Sequence, residues 1–338
     1  MKKVEVVKAV GMTLCHDITA MRDGFKGAAF KRGHVITEED IPKLLDLGKR
    51  TVFIWKENAG ELHEEDCALR LAAVAPVPEA HYEGPSEGKM LLIADGRGMF
   101  RVDTELLRQI NAIGDITISA IPDHYPAEPG MRLASMRIVP LVTREEQILR
   151  AEELCRGRKL LDLRPYTQKR AGVIITGSEI YSGRIKDRFE PVVRRKLAEY
   201  PCEILGATVC DDDLDMILGA ARTFLERGAD FLIFTGGMSV DPDDLTPTAI
   251  RRLGAEVVSH GVPAQPGNMT LAAYLGDAAI LGVPGAAISL PVTIFDVLLP
   301  QIFTEDKLTK EDLIRLGDGG LCQMCRSCHF PNCTFGRY

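Results

Sequence analysis

The chain has 338 residues, 46% hydrophobic and 26% charged, which excludes a fibre, a single small module and global disorder, and leaves material for two domains with an appendix. Lys and Arg total 41 against 48 Asp and Glu, and the net charge of −7 argues against a polyanion such as DNA as the main partner. Glu5 and Lys8 interrupt the apolar start, so no signal peptide is expected. The uncharged stretch 278–295 is punctuated by Gly282, Pro284, Gly285 and Pro291, so no membrane span is expected either. Cys15, Cys67, Cys155, Cys202 and Cys210 are scattered like the idle thiols of a reducing compartment, and the total of 9 is odd, so the expected location is cytoplasmic.

In chain order, Thr37 followed by Asp40 predicts a capped helix whose Ile41, Leu44, Leu45 and Leu47 share a face and which Gly48 ends. Short strands are expected beside it over 33–36 and 51–54, and the Ala- and Pro-rich stretch 72–85 reads as a loop or hinge. From Lys89 onward, strands over 90–93, 116–121 and 136–142 alternate with a turn over 95–98 and helices over 104–112 and 144–155, an α+β pattern. Six Lys or Arg residues in 156–170 suggest a connector. The expected division is therefore an α+β region over 1–165, with a further break near 72–88 left open, a second domain over 170–305 and a Cys-rich tail over 306–338.

In the second domain, strands are expected over 172–176, 203–209, 230–235, 256–259 and 278–282. Helices alternate with them over 189–199, 215–227, 244–253, 269–275 and 287–302. Such βαβ order demands a mostly parallel sheet covered by helices on both faces. Glycine turns mark one end of it: Thr176-Gly177-Ser178-Glu179, Thr235-Gly236-Gly237-Met238-Ser239, Pro266-Gly267-Asn268 and Val283-Pro284-Gly285-Ala286. Ligands of open α/β sheets bind at the carboxyl ends of strands, where glycine lets backbone N–H groups approach an anion and a following helix adds its positive end. One such turn means little; together they favour an anionic ligand.

Carboxylates crowd the same turns: Glu179, then Asp211, Asp212, Asp213 and Asp215, then Asp241, Asp243 and Asp244. Some are helix caps, since Asp before a helix is routine. Seven Asp in two short segments exceed what two caps require, and an acidic lip beside anion-binding amides makes sense if Mg²⁺ bridges them.

The ordered set of turns resembles the molybdopterin-binding domain of molybdenum cofactor biosynthesis proteins, a family that includes the molybdopterin molybdenumtransferases of the gephyrin E-domain type and the smaller adenylyltransferases. The resemblance covers roughly 172–303. It implies a three-layer α/β/α domain binding molybdopterin, a pterin with a dithiolene and a terminal phosphate, and a reaction in which adenylylated molybdopterin is cleaved as molybdate is inserted, with Mg²⁺ at acidic residues. Carried over by motif, Glu179, Asp212 and Asp244 are the candidate catalytic acids, with Asp212, Asp213 and Asp244 toward Mg²⁺. The register within 211–213 stays open. The implied pterin-binding residues are Thr176, Gly177, Ser178, Asp187, Thr235, Gly236, Gly237, Ser239, Pro266, Gly267, Pro284 and Gly285.

Departures from that pattern fall among the ligand-facing residues. Asp-Ser-Asn is replaced by Asp187-Arg188-Phe189, the basic residue after the first Pro-Gly by Asn268, Asn-Pro after the second by Ala286-Ala287, and a glycine by Asp241. The 30–36 segment and the helix after it are similar to part of the transferases' accessory domains. Its Lys26, Lys31, Arg32 and His34 read either as a phosphate or molybdate contact or as a solvated basic loop.

Cys322, Cys325, Cys328 and Cys333 form a C-x2-C-x2-C-x4-C run, one residue longer in its last spacing than a ferredoxin-type run, with His329 beside them. The spacing suits an iron–sulfur cluster or Zn²⁺, or else a thiol-rich end that oxidises. Two functional readings stand: a molybdenumtransferase-like enzyme, commonly dimeric in related proteins, and a non-catalytic carrier or sensor that uses the tail to dock a molybdoenzyme or another biosynthesis protein. An unrelated hydrolase is the third; the chain has no Gly-x-Ser-x-Gly elbow and no Walker loop.

Overall fold

Alternation along three strands fixes the main sheet. In Lys169–Thr176 (β1), Ala171, Val173 and Ile175 enter one core while Ile174 enters another. Phe231–Thr235 (β3) divides the same way, Phe231 and Ile233 against Leu232 and Phe234. Both faces are apolar, so both must be covered, which is the condition of a parallel sheet. A computed structural model describes residues 2–22, 25–54, 58–238 and 244–337 of the chain.

The remaining strands of this sheet are Cys202–Cys210 (β2), Glu256–His260 (β4), Leu271–Leu275 (β5) and Ala278–Val283 (β6), in the order β2-β1-β3-β6-β5-β4. The pairs β1·β2, β1·β3 and β3·β6 are parallel; β5 pairs antiparallel with both β6 and β4. The chain's short helices here are Ser178–Tyr181 (α1), Phe189–Leu197 (α2), Leu214–Glu226 (α3), Thr246–Arg252 (α4), Ala286–Ser289 (α5), Ile294–Ile302 (α6) and Lys310–Arg315 (α7). Helices α2, α6 and α7 bury Phe189, Val193, Phe295, Leu298 and Leu313 on one face, and α3 and α4 bury Ile217, Ala221, Phe224 and Ile250 on the other. This is the expected mixed α/β architecture with a mostly parallel sheet.

Two expected elements differ. The 269–275 segment is not a helix but strand β5: Leu-Ala-Ala-Tyr-Leu suits a helix by propensity, yet pairing with β6 from Leu271↔Gly282 to Leu275↔Ala278 satisfies the backbone. The single helix expected over 287–302 is two, α5 and α6. Pro291 interrupts the run, and Thr293 with Asp296 starts α6 afresh as a capping box, Thr293 N–H donating to Asp296 Oδ2 at 2.7 Å.

The chain divides into two compact units, Met1–Asp95 with Val102–Ile121 and Gly130–Asp162, and Gly96–Arg101 with Pro122–Pro129 and Leu163–Tyr338. The first contains an antiparallel sheet of Ala80–Ser86, Lys89–Ala94, Arg132–Ile138 and Ile116–Ala120, and a small core around Leu14, Ile18, Phe30, Ile36 and Leu44. Its helix Asp40–Asp46 begins where Thr37 N–H and hydroxyl donate to Asp40 Oδ2 at 3.0 and 2.8 Å, and Gly48 follows at φ +76°. The 33–36 segment makes one isolated bridge, Thr13↔Val35, instead of a strand. The 72–85 stretch holds the end of helix Glu64–Ala73 and most of a strand, and the expected connector contains strand Leu161–Pro165. Charge-rich edges and a proline masked these strands in the sequence. Among the described residues, no helix is long and apolar enough to cross a membrane.

Candidate functional site

The register of the sheet places the glycine turns. Thr176, Cys210, Thr235 and Val283 end β1, β2, β3 and β6, and they are paired as Thr176↔Cys210, Ile175↔Thr235 and Thr235↔Val283. The turns that follow them, 211–213, 177–179, 236–238 and 284–285, therefore lie side by side in the sheet order. Gly267 joins the same edge, since β5 begins at Leu271 opposite Gly282.

Ser178 ties the first two turns together. Its N–H donates to Asp212 Oδ2 at 2.9 Å, and its hydroxyl bonds Asp211 Oδ1 and, at 3.1 Å, Asp212 Oδ2. The bonds from Ser178 and from Asp212 N–H hold the Asp211 carboxyl below the usual carboxylate range. Both acids remain partly open to solvent, and Ser178 and Glu179 are exposed. Asp213 is different: it accepts Met216 N–H at 2.8 Å and caps α3. Asp187 likewise caps α2, accepting from Phe189 and Glu190 N–H at 2.8 and 2.9 Å, and Phe189 turns into the core rather than across the turns.

The third turn is fitted to the first. Gly236 has φ +85°, and a Cβ there would lie 2.1 Å from the Thr176 carbonyl oxygen; Gly237 has φ +53° and Thr246 Oγ1 3.0 Å from its Cβ position. Only glycine suits both. Thr176 and Thr235 are buried struts, with Thr176 Oγ1 3.4 Å from the Thr235 carbonyl oxygen and 3.2 Å from Thr246 Oγ1. Thr246 Oγ1 donates to the Gly236 carbonyl at 2.9 Å. Sequence reasoning missed Thr246, whose only signal was a threonine at the start of a helix. The Thr235 hydroxyl is buried and has no hydrogen-bond partner among the described residues. Asp244 is half-buried ahead of α4; Ser239, Asp241 and Asp243 lie outside the described residues.

Pro266 and Gly267 lock the next turn to α6. The Ile294 N–H donates to the Pro266 carbonyl at 3.0 Å, Thr270 Oγ1 to the Gly267 carbonyl at 2.7 Å, and Gly267 has φ +109°. Gly285, by contrast, has open space where a Cβ would be. Pro284 and Gly285 lead directly into α5. Of the basic residues in the first unit, Arg32 pairs with Glu65 and Asp66 at 2.8 and 3.2 Å, and His34 with Asp40 at 2.7 Å, so both are already engaged.

Cys322, Cys325, Cys328, Cys333 and His329 line one cavity of about 390 Å³ together with Pro266. Among the described residues, no three His, Cys, Asp or Glu side chains stand close enough together to hold a metal ion.

Glycine turns and carboxylates are gathered at the carboxyl edge of a mostly parallel sheet, the edge at which open α/β domains bind their ligands. Residues 172–304 match the family described as probable molybdopterin binding domain. Residues 3–56 match a domain family of unknown function. The molybdopterin molybdenumtransferase of Synechococcus elongatus is 28% identical over 141 residues, 39% of this chain and 35% of that protein. A CinA-like protein of Mycobacterium tuberculosis is 36% identical over 90 residues, 26% of this chain and 21% of that one. The chain thus spans about a third or less of the length of these relatives. The molybdopterin biosynthesis enzyme MoaB of Thermus thermophilus is 22% identical over 35% of this chain and 82% of that chain, with a TM-score of 0.30.

Proposed function

We propose that the protein binds molybdopterin along the carboxyl edge of β1, β2, β3 and β6 and acts on its adenylylated form, inserting molybdate as AMP is released. The observation that carries this reading is the register that brings the five turns to one edge, with Ser178 joining two of them. Gly177, Gly236 and Gly237 let main chain approach the terminal phosphate where side chains would intrude.

Asp211 and Asp212, positioned by Ser178, with Asp244 and the exposed Glu179, form the acidic side of the site. The bond Asp213 accepts from Met216 N–H supports reading it as the helix cap and Asp212 as the acid toward the ligand. The donor set fits Mg²⁺ in kind, being all oxygen, and too few protein oxygens converge to enclose the ion alone, so the substrate phosphate and water complete it. When bound, Mg²⁺ offsets the charge of phosphate and carboxylate. The buried Thr235 hydroxyl, without a hydrogen-bond partner among the described residues, supports a further polar contact at the base of the edge.

Incubation of the protein with adenylylated molybdopterin and molybdate tests the reading: AMP release dependent on Asp212 supports it. A second reading, a cytoplasmic carrier or sensor of the pterin that passes it to a molybdoenzyme and whose tail holds metal or changes redox state, draws on the capping role of Asp187 and the burial of Phe189, which remove polar groups from the edge. Stable pterin binding without AMP release decides for it. Sedimentation of the pterin complex tests whether two copies share the work.

A further inference from the structure

The C-terminal segment is built into the second unit. Gln265 N–H donates to the Gly320 carbonyl at 2.7 Å and Cys322 N–H to the Gln265 carbonyl at 2.9 Å, a parallel bridge that continues at Leu321. Phe335 is buried in the core under the main sheet, and Gly336 N–H donates to the Gly319 carbonyl at 3.0 Å. A segment anchored at both ends forms a closed loop, and four cysteines lie on that loop. All four face one cavity, of which Leu290, Pro291, Val292 and Phe335 make an apolar wall.

The size and spacing of that cavity discriminate between metals. Tetrahedral zinc, with Zn–S near 2.3 Å, requires thiolates about 4 Å apart, and no group of three His, Cys, Asp or Glu among the described residues is placed to hold a single metal ion. A polynuclear cluster instead takes its thiolates at separate corners. At about 30 Å³ per water-sized group, the 390 Å³ cavity admits roughly a dozen heavy atoms, more than the core of a four-iron, four-sulfur cluster needs.

A charge of the right sign stands beside it. The Arg337 guanidinium lies 4.6 Å from the Tyr125 ring centre and 5.3 Å from that of Phe330, and its Nε and Nη2 are buried with no hydrogen-bond partner among the described residues. Nη1 donates to the His124 and Gly336 carbonyls at 3.3 and 3.4 Å. The Arg337 backbone N–H donates at 3.1 Å to the carbonyl of Thr334, which follows Cys333 and lines the cavity with it, and burial lowers the Arg337 pKa. A half-buried guanidinium that meets only aromatic rings and neutral carbonyls is stabilised further by a negative group beside it. Four thiolates around an iron–sulfur core carry that negative charge.

We propose that Cys322, Cys325, Cys328 and Cys333 ligate a [4Fe–4S] cluster in this cavity, with Arg337 as the positioning cation that balances its charge. The cluster lies against Pro266, the residue before Gly267 in the proposed pterin edge. Each thiol gives its proton to solvent on ligation, and no electron is transferred in that step. The site is independent of the pterin reading.

Full-length protein, isolated without oxygen and reconstituted with equal parts of ferrous and ferric iron and with sulfide, tests this. Expected are about four iron and four acid-labile sulfide per chain, with visible absorption that bleaches under dithionite. Cys328→Ser loses most of the iron and Cys202→Ser keeps it, while both retain the circular dichroism of the metal-free chain. Arg337→Gln keeps the iron but makes the cluster harder to reduce. One zinc per chain without labile sulfide, or a folded chain that takes up no iron, overturns the proposal. A cluster-loaded chain that fails to retain molybdopterin overturns the pterin reading alone.

Discussion

A Cβ on Gly236 would lie 2.1 Å from the carbonyl oxygen of Thr176, so the turn after β3 fits against the end of β1 only because residue 236 has no side chain. Gly236→Ala must move one strand end and also strain a backbone at φ +85°. The expected cost is at least about 2 kcal/mol of stability, with weaker pterin binding. Gly219, on α3 with open space around its Cβ position, is the control: Gly219→Ala raises stability by about 0.5–1 kcal/mol. Urea midpoints of the two variants check both signs.

Lys196 and Asp296 form a buried ion pair between α2 and α6, and Lys196 Nζ also donates to the Pro291 carbonyl at 3.0 Å. The lysine thus holds the break between α5 and α6 while its partner serves the capping box of Thr293. Lys196→Met leaves Asp296 buried without its cation, at a cost of about 3–5 kcal/mol. Denaturant unfolding measures it; a loss under about 1 kcal/mol would show the pair to be solvent-screened.

Asp40 gives the first unit a defined acid response. Burial would raise its pKa, but His34, the Thr37 N–H and the Thr37 hydroxyl bond the carboxylate and hold it well below the usual range. A lowered folded pKa stabilises the fold above the unfolded value, near about pH 4, and that contribution fades as pH falls through the folded value. Asp40→Asn is therefore expected to be less stable than the parent at neutral pH, with the difference shrinking below about pH 4. Thermal midpoints across that range provide the check, and a difference that grows in acid would contradict it.

Ser178 separates positioning from binding. Ser178→Ala removes the hydroxyl that bonds Asp211 and Asp212 but keeps the N–H donor to Asp212. Weaker retention of Mg²⁺ with pterin is expected, by about tenfold for about 1.4 kcal/mol of lost orientation, with little change in thermal midpoint because the residue is exposed. Equilibrium dialysis with and without Mg²⁺ reads the difference.

Much of this was legible in the sequence because the main sheet is buried on both faces: Val173 to Ile175 and Phe231 to Phe234 leave no other fold open to them. Gly236 and Gly237 could be singled out as turn residues, and their positive φ angles explain why. What escaped was set by partners far along the chain. Leu271–Leu275 is a strand because β6 lies beside it, and Asp187 and Asp213 look like ligand-facing acids until the N–H groups they cap are located. Thr246 carries no motif at all, and its role exists only where Thr176 and Gly236 meet it.

The most direct measurement is equilibrium binding of oxygen-free molybdopterin to the full chain, to Gly236→Ala and to Asp212→Asn, followed by the pterin's own fluorescence after release. The account predicts retention by the parent chain, at least tenfold weaker binding by Gly236→Ala, and loss of the Mg²⁺ dependence in Asp212→Asn. A parent chain that retains no pterin, or binds it equally well with either substitution, would contradict it.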